Sequence, residues 1–353
     1  MIKSDATSIK KKTESTSDLQ GQCRYEKLIF FLNRRCHVGC ASCNAAASAG
    51  NREELTPQWL SEFFTKIHAP LKPAGGQSQC NGAAAQGLRF SGYVLWTGGE
   101  PFLSFEALKT GIALTSRFGF FSEIVTSASW FDRHPEYLKR LADAGNFSIR
   151  ISLDAEHGER VPFGLVVDMV KRAISLGIET NFTLRTMPGR QEGVDHYIQK
   201  IKKTLPRYYR ENVNRSCWVH IIPHIPVAAA ALGGTPDTFP HHRKWQRPCQ
   251  QGFKDLVVGE DGFIYPCCGL FTLACYPRFR AGNPLLEDWH TISDRRFRRP
   301  LFRALRTQGP YHICRELGLR PESWGWPPFR TPCHLCLALF NLYADRVFAY
   351  YCG

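Results

Sequence analysis

Between residues 27 and 223 short apolar runs alternate with amphipathic stretches, and this alternation narrows the fold more than anything else in the 353 residues. Strands are expected at 27–33, 88–96, 121–126, 147–153, 179–184 and 218–223. Each of the first five is followed by a helical pattern. The first opens at Thr56-Pro57, a cap with proline at the first helical position, and carries an apolar stripe of Trp59, Leu60, Phe63, Phe64 and Ile67. The others span 105–118, 134–144, 163–176 and 194–203. Right-handed βα crossovers make such a series a parallel sheet. Six strands are too few to close an eight-stranded barrel. The expected class is α/β, an open, partial (β/α)6 TIM-like barrel, with a doubly wound sheet as the alternative from pattern alone. Either way a ligand belongs at the carboxyl ends of the strands.

The distinctive polar residues fall at those ends. Cys36-x3-Cys40-x2-Cys43 follows the first strand and Thr97-Gly98-Gly99-Glu100-Pro101 the second. Ser127-Ala128-Ser129 follows the third, Ser152 and Asp154 the fourth, Arg185 the fifth, and His220 and His224 surround the last. Four thiolates close a tetrahedral zinc or a simple iron–sulfur site, whereas three without an obvious fourth suggest a cluster with one iron open to a small ligand. Zinc knuckles also contain cysteine triplets, so spacing alone leaves both readings standing. Two glycines let backbone approach a ligand without a Cβ in the way, and Glu100 adds charge beside them. Ser152 and Asp154 suit the cap of the next turn. Arg185 suits a substrate carboxylate or a surface ion pair, and each histidine a proton acceptor or a structural role.

Cysteine is the compositional outlier, at 14 residues. The chain opens polar and lysine-rich rather than with a signal peptide, so metal ligation in a reducing cytoplasm is expected, not a secreted disulfide scaffold. Apolar stretches are broken well short of a membrane span. Residues 1–22 read as a disordered tail, 23–226 as the barrel, 227–245 as a linker or lid, and 246–353 as a small cysteine-rich domain. Cys23 and Cys80 (the latter in a loop at 69–87) read as incidental. The net charge of +14 gathers in Lys200–Arg215 and Arg278–Arg306. It fits a solvated helical face or a surface for a negatively charged partner; no nucleic-acid motif accompanies it, so no nucleic acid is expected.

The cysteine triplet after one strand and Gly98-Gly99-Glu100-Pro101 after the next together resemble the radical S-adenosylmethionine (SAM) enzymes. The resemblance implies that Cys36, Cys40 and Cys43 hold a [4Fe–4S] cluster whose open iron chelates SAM. It further implies that Gly98, Gly99 and Glu100 bind the SAM amino group, Ser152 and Asp154 the ribose and carboxylate, and Ser127 the carboxylate. The family usually has an aromatic residue before the third cysteine. This chain has Ser42, so adenine packing is expected from elsewhere. Cys249-x12-Gly262-x4-Cys267, with the Gly-Phe-Ile-Tyr-Pro-Cys hairpin and Cys333-x2-Cys336, is similar to the SPASM auxiliary-cluster domain. Two further cysteines of that pattern are missing, which makes the region closer to the shortened twitch form. Carried across, Cys249, Cys267, Cys333 and Cys336 would hold one auxiliary [4Fe–4S] cluster; zinc could use the same four thiolates. Cys268, Cys275, Cys314 and Cys352 remain, and Cys268 is a candidate catalytic thiol or substitute ligand.

The implied reaction is reductive cleavage of SAM, with an electron from a flavodoxin or ferredoxin, to a 5′-deoxyadenosyl radical that abstracts hydrogen from a substrate. Arg185, His220, His224 and Cys268 are the candidate catalytic residues. The expected substrate is a hydroxylated small metabolite, a sugar or aminocyclitol, which is oxidised, as in natural product biosynthesis. The alternative is a maturase that cross-links or epimerises a ribosomally made peptide. Only 35 residues precede Cys36, short for a leader-peptide recognition domain, which favours the metabolite. A non-enzymatic electron-transfer protein is a third reading.

Overall fold

The computed structural model describes residues 24–40, 43, 45–68, 89–186, 191–206, 220–223, 246–249, 252–324 and 332–352. The expected tail, Cys23, Ser42, the 69–87 loop with Cys80, His224 and the 227–245 linker lie outside the described residues, as do the side chains of Arg185 and His220.

Leu28-Ile29-Phe30-Phe31 is apolar on both faces, as a strand covered on both sides must be, and all four residues are buried. This strand, β2, follows the short β1 at Arg24–Tyr25, which pairs with β3 at Arg89–Phe90 in a separate small parallel sheet. The main sheet continues from β2 through β4 (Tyr93–Thr97), β5 (Phe121–Thr126), β6 (Phe147–Ser152), β7 (Glu179–Thr186) and β8 (His220–Pro223). These six strands lie in chain order and every neighbouring pair is parallel, so all their carboxyl ends share one rim. Helices α1 (Pro57–His68), α2 (Phe105–Arg117), α3 (Tyr137–Ala142), the short α4 (Ala155–Gly158), α5 (Phe163–Ser175) and α6 (Gln191–Thr204) occupy the crossovers.

The helical layer is locked to the sheet through aromatic packing. Trp96 of β4 is fully buried, stacks on Phe30 with ring centroids 4.7 Å apart, and meets Phe64 of α1. A buried indole needs an acceptor for its N–H. Trp96 Nε1 donates to Ser122 Oγ at 3.0 Å, and that oxygen lies 2.7 Å from Thr115 Oγ1 of α2. One polar thread therefore runs from strand through neighbouring strand to helix.

The sheet is larger than the six expected strands and is mixed rather than wholly parallel. Leu256–Val258 forms β9, parallel to β2, and Ile264–Tyr265 forms β10, antiparallel to β9. The Gly-Phe-Ile-Tyr-Pro-Cys hairpin thus extends the barrel sheet. Asp261 organises its turn by accepting from Phe263 N at 3.1 Å, Tyr265 Oη at 2.6 Å and Arg280 Nε at 2.8 Å. Phe271, beyond the hairpin, stacks on Phe31 of β2 at 4.0 Å.

The arginine-rich stretch after it folds as helices Trp289–Arg298 and Pro300–Thr307. Much of its charge is engaged within the chain. Arg296 is fully buried against the rings of Tyr25, Phe253 and Phe297. Arg295 pairs with Glu287 at 2.7 Å, Arg298 with Asp294 at 3.0 Å and Arg278 with Asp345 at 2.6 Å. Among the described residues, no helix is long and apolar enough to cross a membrane.

Candidate active site at the carboxyl rim

The cysteine loop leaves β2 and returns beside it. Ser48 N donates to Arg34 O at 3.0 Å and Cys36 N to Ser48 O at 3.3 Å, closing the loop at its base. Backbone amides point at two of the sulfurs: Val38 N donates to Cys36 Sγ and Ala47 N to Cys43 Sγ, each at 3.4 Å. Such donors favour thiolate. At Cys36 burial outweighs them, and the nearby charges of Glu100 and Cys43 oppose them too, so its pKa rises to about 11.

Gly98-Gly99-Glu100 crosses directly over the exit of β2. Gly99 N donates to Asn33 O and Glu100 N to Arg35 O, both at 2.8 Å. Asn33, fully buried, returns its side-chain amide to Glu100 O at 3.1 Å and Ser104 Oγ at 2.7 Å. A Cβ on Gly98 would stand 2.2 Å from Asn33 O, and one on Gly99 2.2 Å from Arg35 O. The missing Cβ atoms thus permit the approach of two backbone segments, which ties the second rim cluster to the first. We expect Gly99→Ala to destabilise the chain by about 1–3 kcal/mol, the usual cost of overpacking, as measured by denaturant unfolding. An unchanged midpoint would refute this close fit.

Glu100 points inward to the end of β5 and is 1% exposed. Its oxygens accept from Thr126 Oγ1 at 2.8 Å, Ser127 N at 2.9 Å, Ser127 Oγ at 2.6 Å and Phe102 N at 3.4 Å. Burial raises its pKa, and these four donors oppose that rise only in part. Thr126 Oγ1 also accepts from Trp130 Nε1 at 2.9 Å, and the Trp130 ring stacks on Phe102 at 3.6 Å. Sequence reasoning singled out Glu100 and Ser127, and the structure joins them. It missed Thr126 and Trp130, whose part emerges only once β5 lies beside β4.

The fourth cluster reaches back to the cysteines. Asp154, buried at the start of α4, accepts at Oδ1 from His157 N at 3.1 Å and lies 2.8 Å from His157 Nδ1. His157 Nε2 faces Cys40 Sγ at 3.6 Å. Ser152 is half-buried and paired in register with Thr183 of β7. Arg185 pairs in register with Ile222 of β8, which puts its backbone near the same rim.

A second thiol group lies in the C-terminal region. Gly252 N donates to Cys249 Sγ and Gly269 N to Cys267 Sγ, each at 3.2 Å. Burial, then the charges of Cys267 and Cys249, push Cys333 up to about 12. Burial, followed by Cys249, Cys333 and Cys267, pushes Cys336 well above the usual thiol range. The four expected auxiliary ligands therefore sense one another. Cys268 adjoins Cys267, whose hydrogen bond holds it low, and also feels Cys333. Cys275 faces Phe340 O at 3.8 Å, Cys314 is buried near Cys336, and Cys352 is exposed.

Among the described residues, no three His, Cys, Asp or Glu side chains form a group tight enough to grip a single metal ion. The donor sets still suit iron–sulfur chemistry by type: three thiols in one loop, two of them with backbone donors, and four thiols in the other region that influence one another's charge. Arg34 links the two, donating from Nε to Ala45 O at 2.8 Å and from its terminal nitrogen to Phe271 O at 3.1 Å.

Comparison with solved structures places this architecture. SuiB from Streptococcus suis, bound to S-adenosylmethionine, superposes with a TM-score of 0.51 at 12% identity, over 81% of this chain and 67% of that one. Histidine-tagged anSMEcpe with bound AdoMet gives 0.53 at 12% identity, over 92% and 98%. The fold is that of the radical SAM partial barrel with a cysteine-rich C-terminal region. Native anSMEcpe with bound AdoMet and the Cp18Cys peptide gives 0.50 at 13% identity, over 93% and 99%. No protein-family model and no curated protein sequence matches the chain.

Proposed function

We propose that this chain is a radical SAM enzyme that modifies a peptide. The reading is carried by one arrangement: Cys36, Cys40 and Cys43 leave β2 at the carboxyl rim directly under the Gly98-Gly99-Glu100 crossing. In a radical SAM fold, this rim is where a cluster and SAM would meet. The likeness to anSMEcpe with AdoMet and a peptide supports the peptide class, which the sequence reading had placed second to a hydroxylated metabolite.

Cys36, Cys40 and Cys43 would hold the first [4Fe–4S] cluster and Cys249, Cys267, Cys333 and Cys336 the auxiliary one. With a cluster held there, the first loop would supply the one-electron reduction on which SAM cleavage depends. The backbone N–H groups of Val38 and Ala47 point at Cys36 Sγ and Cys43 Sγ, where they would meet the negative charge of ligand sulfurs. Gly98, Gly99 and Glu100 form the wall against which the SAM amino group would rest, with Ser127, Ser152 and Asp154 along the same rim. Arg185, His220, His224 and Cys268 are the proposed substrate-side groups, and a flavodoxin or ferredoxin the electron donor.

The test is anaerobic reconstitution with iron and sulfide, then incubation with SAM, dithionite and short cysteine- or serine-containing peptides. Mass spectrometry should find 5′-deoxyadenosine together with peptide that has lost two hydrogens. Turnover of sugars or aminocyclitols instead would return the substrate to the metabolite class. No 5′-deoxyadenosine under any condition would overturn the enzyme reading itself.

A further inference from the structure

The segment Asp154–Arg160 grips the cysteine loop at two points. One is His157 Nε2, 3.6 Å from Cys40 Sγ. The other is the Arg160 guanidinium, which donates to the carbonyls of both Val38 and Gly39 in the middle of the loop. Gly39 has a φ of +63°, and a Cβ there would stand 2.9 Å from that guanidinium, so the loop is shaped around it. The grip is itself braced. Asp154 holds the backbone and the ring of His157 through one oxygen. Tyr197 of α6 lies so close to Gly158 that a Cβ there would fall 1.4 Å from its hydroxyl. His157 and Asp154 are 8% and 4% exposed.

We propose that this segment is the positioning element of the first cluster: it fixes the cysteine loop and raises the cluster's reduction potential. The proposal rests on reading Cys36, Cys40 and Cys43 as cluster ligands. A ring between a carboxylate and a ligand sulfur has its orientation and its donor direction set by the carboxylate. One ring nitrogen, Nδ1, meets Asp154, and the other, Nε2, meets Cys40 Sγ, where an N–H would be directed at a ligand sulfur. Hydrogen bonds to ligand sulfurs tune iron–sulfur potentials. A donor bond to Cys40 Sγ stabilises the reduced, more negative cluster over the oxidised one. The Arg160 charge over the Val38 and Gly39 carbonyls acts in the same direction. Neither residue needs to touch SAM or substrate, so their effect should appear in the potential before it appears in the chemistry.

The experiment is a redox titration of the full-length reconstituted protein, followed by electron paramagnetic resonance of the signal that changes on adding SAM. His157→Phe should lower the one-electron reduction equilibrium about tenfold, which is about 59 mV. His157→Gln, which restores an N–H donor without the imidazole, should recover most of that shift. Arg160→Gln should lower the potential with iron content unchanged. If His157→Phe fails to take up iron, the Gln variants decide the matter by the same readout. Unchanged potentials in His157→Phe and Arg160→Gln, with full iron content, would overturn the inference and leave the cluster reading intact. A wild-type protein with no SAM-responsive signal would overturn the cluster reading, and the inference with it.

Discussion

Replacing Cys36, Cys40 and Cys43 together by alanine should abolish 5′-deoxyadenosine formation and leave the chain with about half of its iron, about four of about eight atoms by cluster stoichiometry. The expectation follows from the separation of the two thiol sets. The first belongs to one loop after β2, where Cys36 feels the charges of Glu100 and Cys43. Cys333 and Cys336, in turn, feel Cys249 and Cys267. Emptying one set should therefore spare the other. Iron analysis and product quantification on anaerobic protein check both halves. Loss of all iron would mean that the sites assemble as one unit. Wild-type protein saturating at about four irons would remove the auxiliary cluster and keep the first.

Much of the barrel was legible because its signals are local. The six parallel strands needed only apolar runs of the right length, and Thr56-Pro57 announced α1 by a cap that the structure confirms, Thr56 Oγ1 accepting from Trp59 N at 3.1 Å. β9 and β10 could be read as a hairpin from Gly262 and its neighbours. The pairing of β9 with β2, more than two hundred residues earlier in the chain, has no local signature. The rim followed the same division. Residue types at strand ends marked Cys36, Glu100, Ser127 and Asp154, since the carboxyl rim follows from the topology. What those side chains touch did not follow. The aim of Glu100 at Thr126 and Ser127, and of His157 at Cys40, depends on sheet twist and helix placement. Arg34 shows the limit most clearly. In the sequence it is an arginine beside another arginine, and only the folded chain shows what it joins.

Arg34→Leu is expected to destabilise the chain by about 3–5 kcal/mol, the cost of leaving a buried charge without its partner. The Arg34 side chain is 12% exposed, and that of Glu260, 3.7 Å away, is fully buried. Tyr276 Oη donates to Glu260 Oε1 at 2.9 Å, and the Arg34 guanidinium lies 4.6 Å from the centroid of the same tyrosine ring. Glu260 Oε2 has no hydrogen-bond partner among the described residues, and Arg34 is the cation beside that carboxylate. Burial raises the Glu260 pKa, while its own backbone N–H, then Tyr276 and then Arg34 oppose the rise, and removing Arg34 should raise it further. The pH dependence follows in sign. A carboxyl whose folded pKa exceeds its unfolded value contributes stability at low pH that is lost as pH rises through the folded value. The deficit of Arg34→Leu should therefore be widest near neutral pH and shrink on acidification, as the orphaned carboxylate takes a proton. Glu260→Gln in the same background should remove most of the pH dependence. Denaturant unfolding of iron-free protein between about pH 5 and 8 reads all three effects. A deficit that stays constant across that range would assign the loss to the hydrogen bonds with Ala45 and Phe271 rather than to the charge.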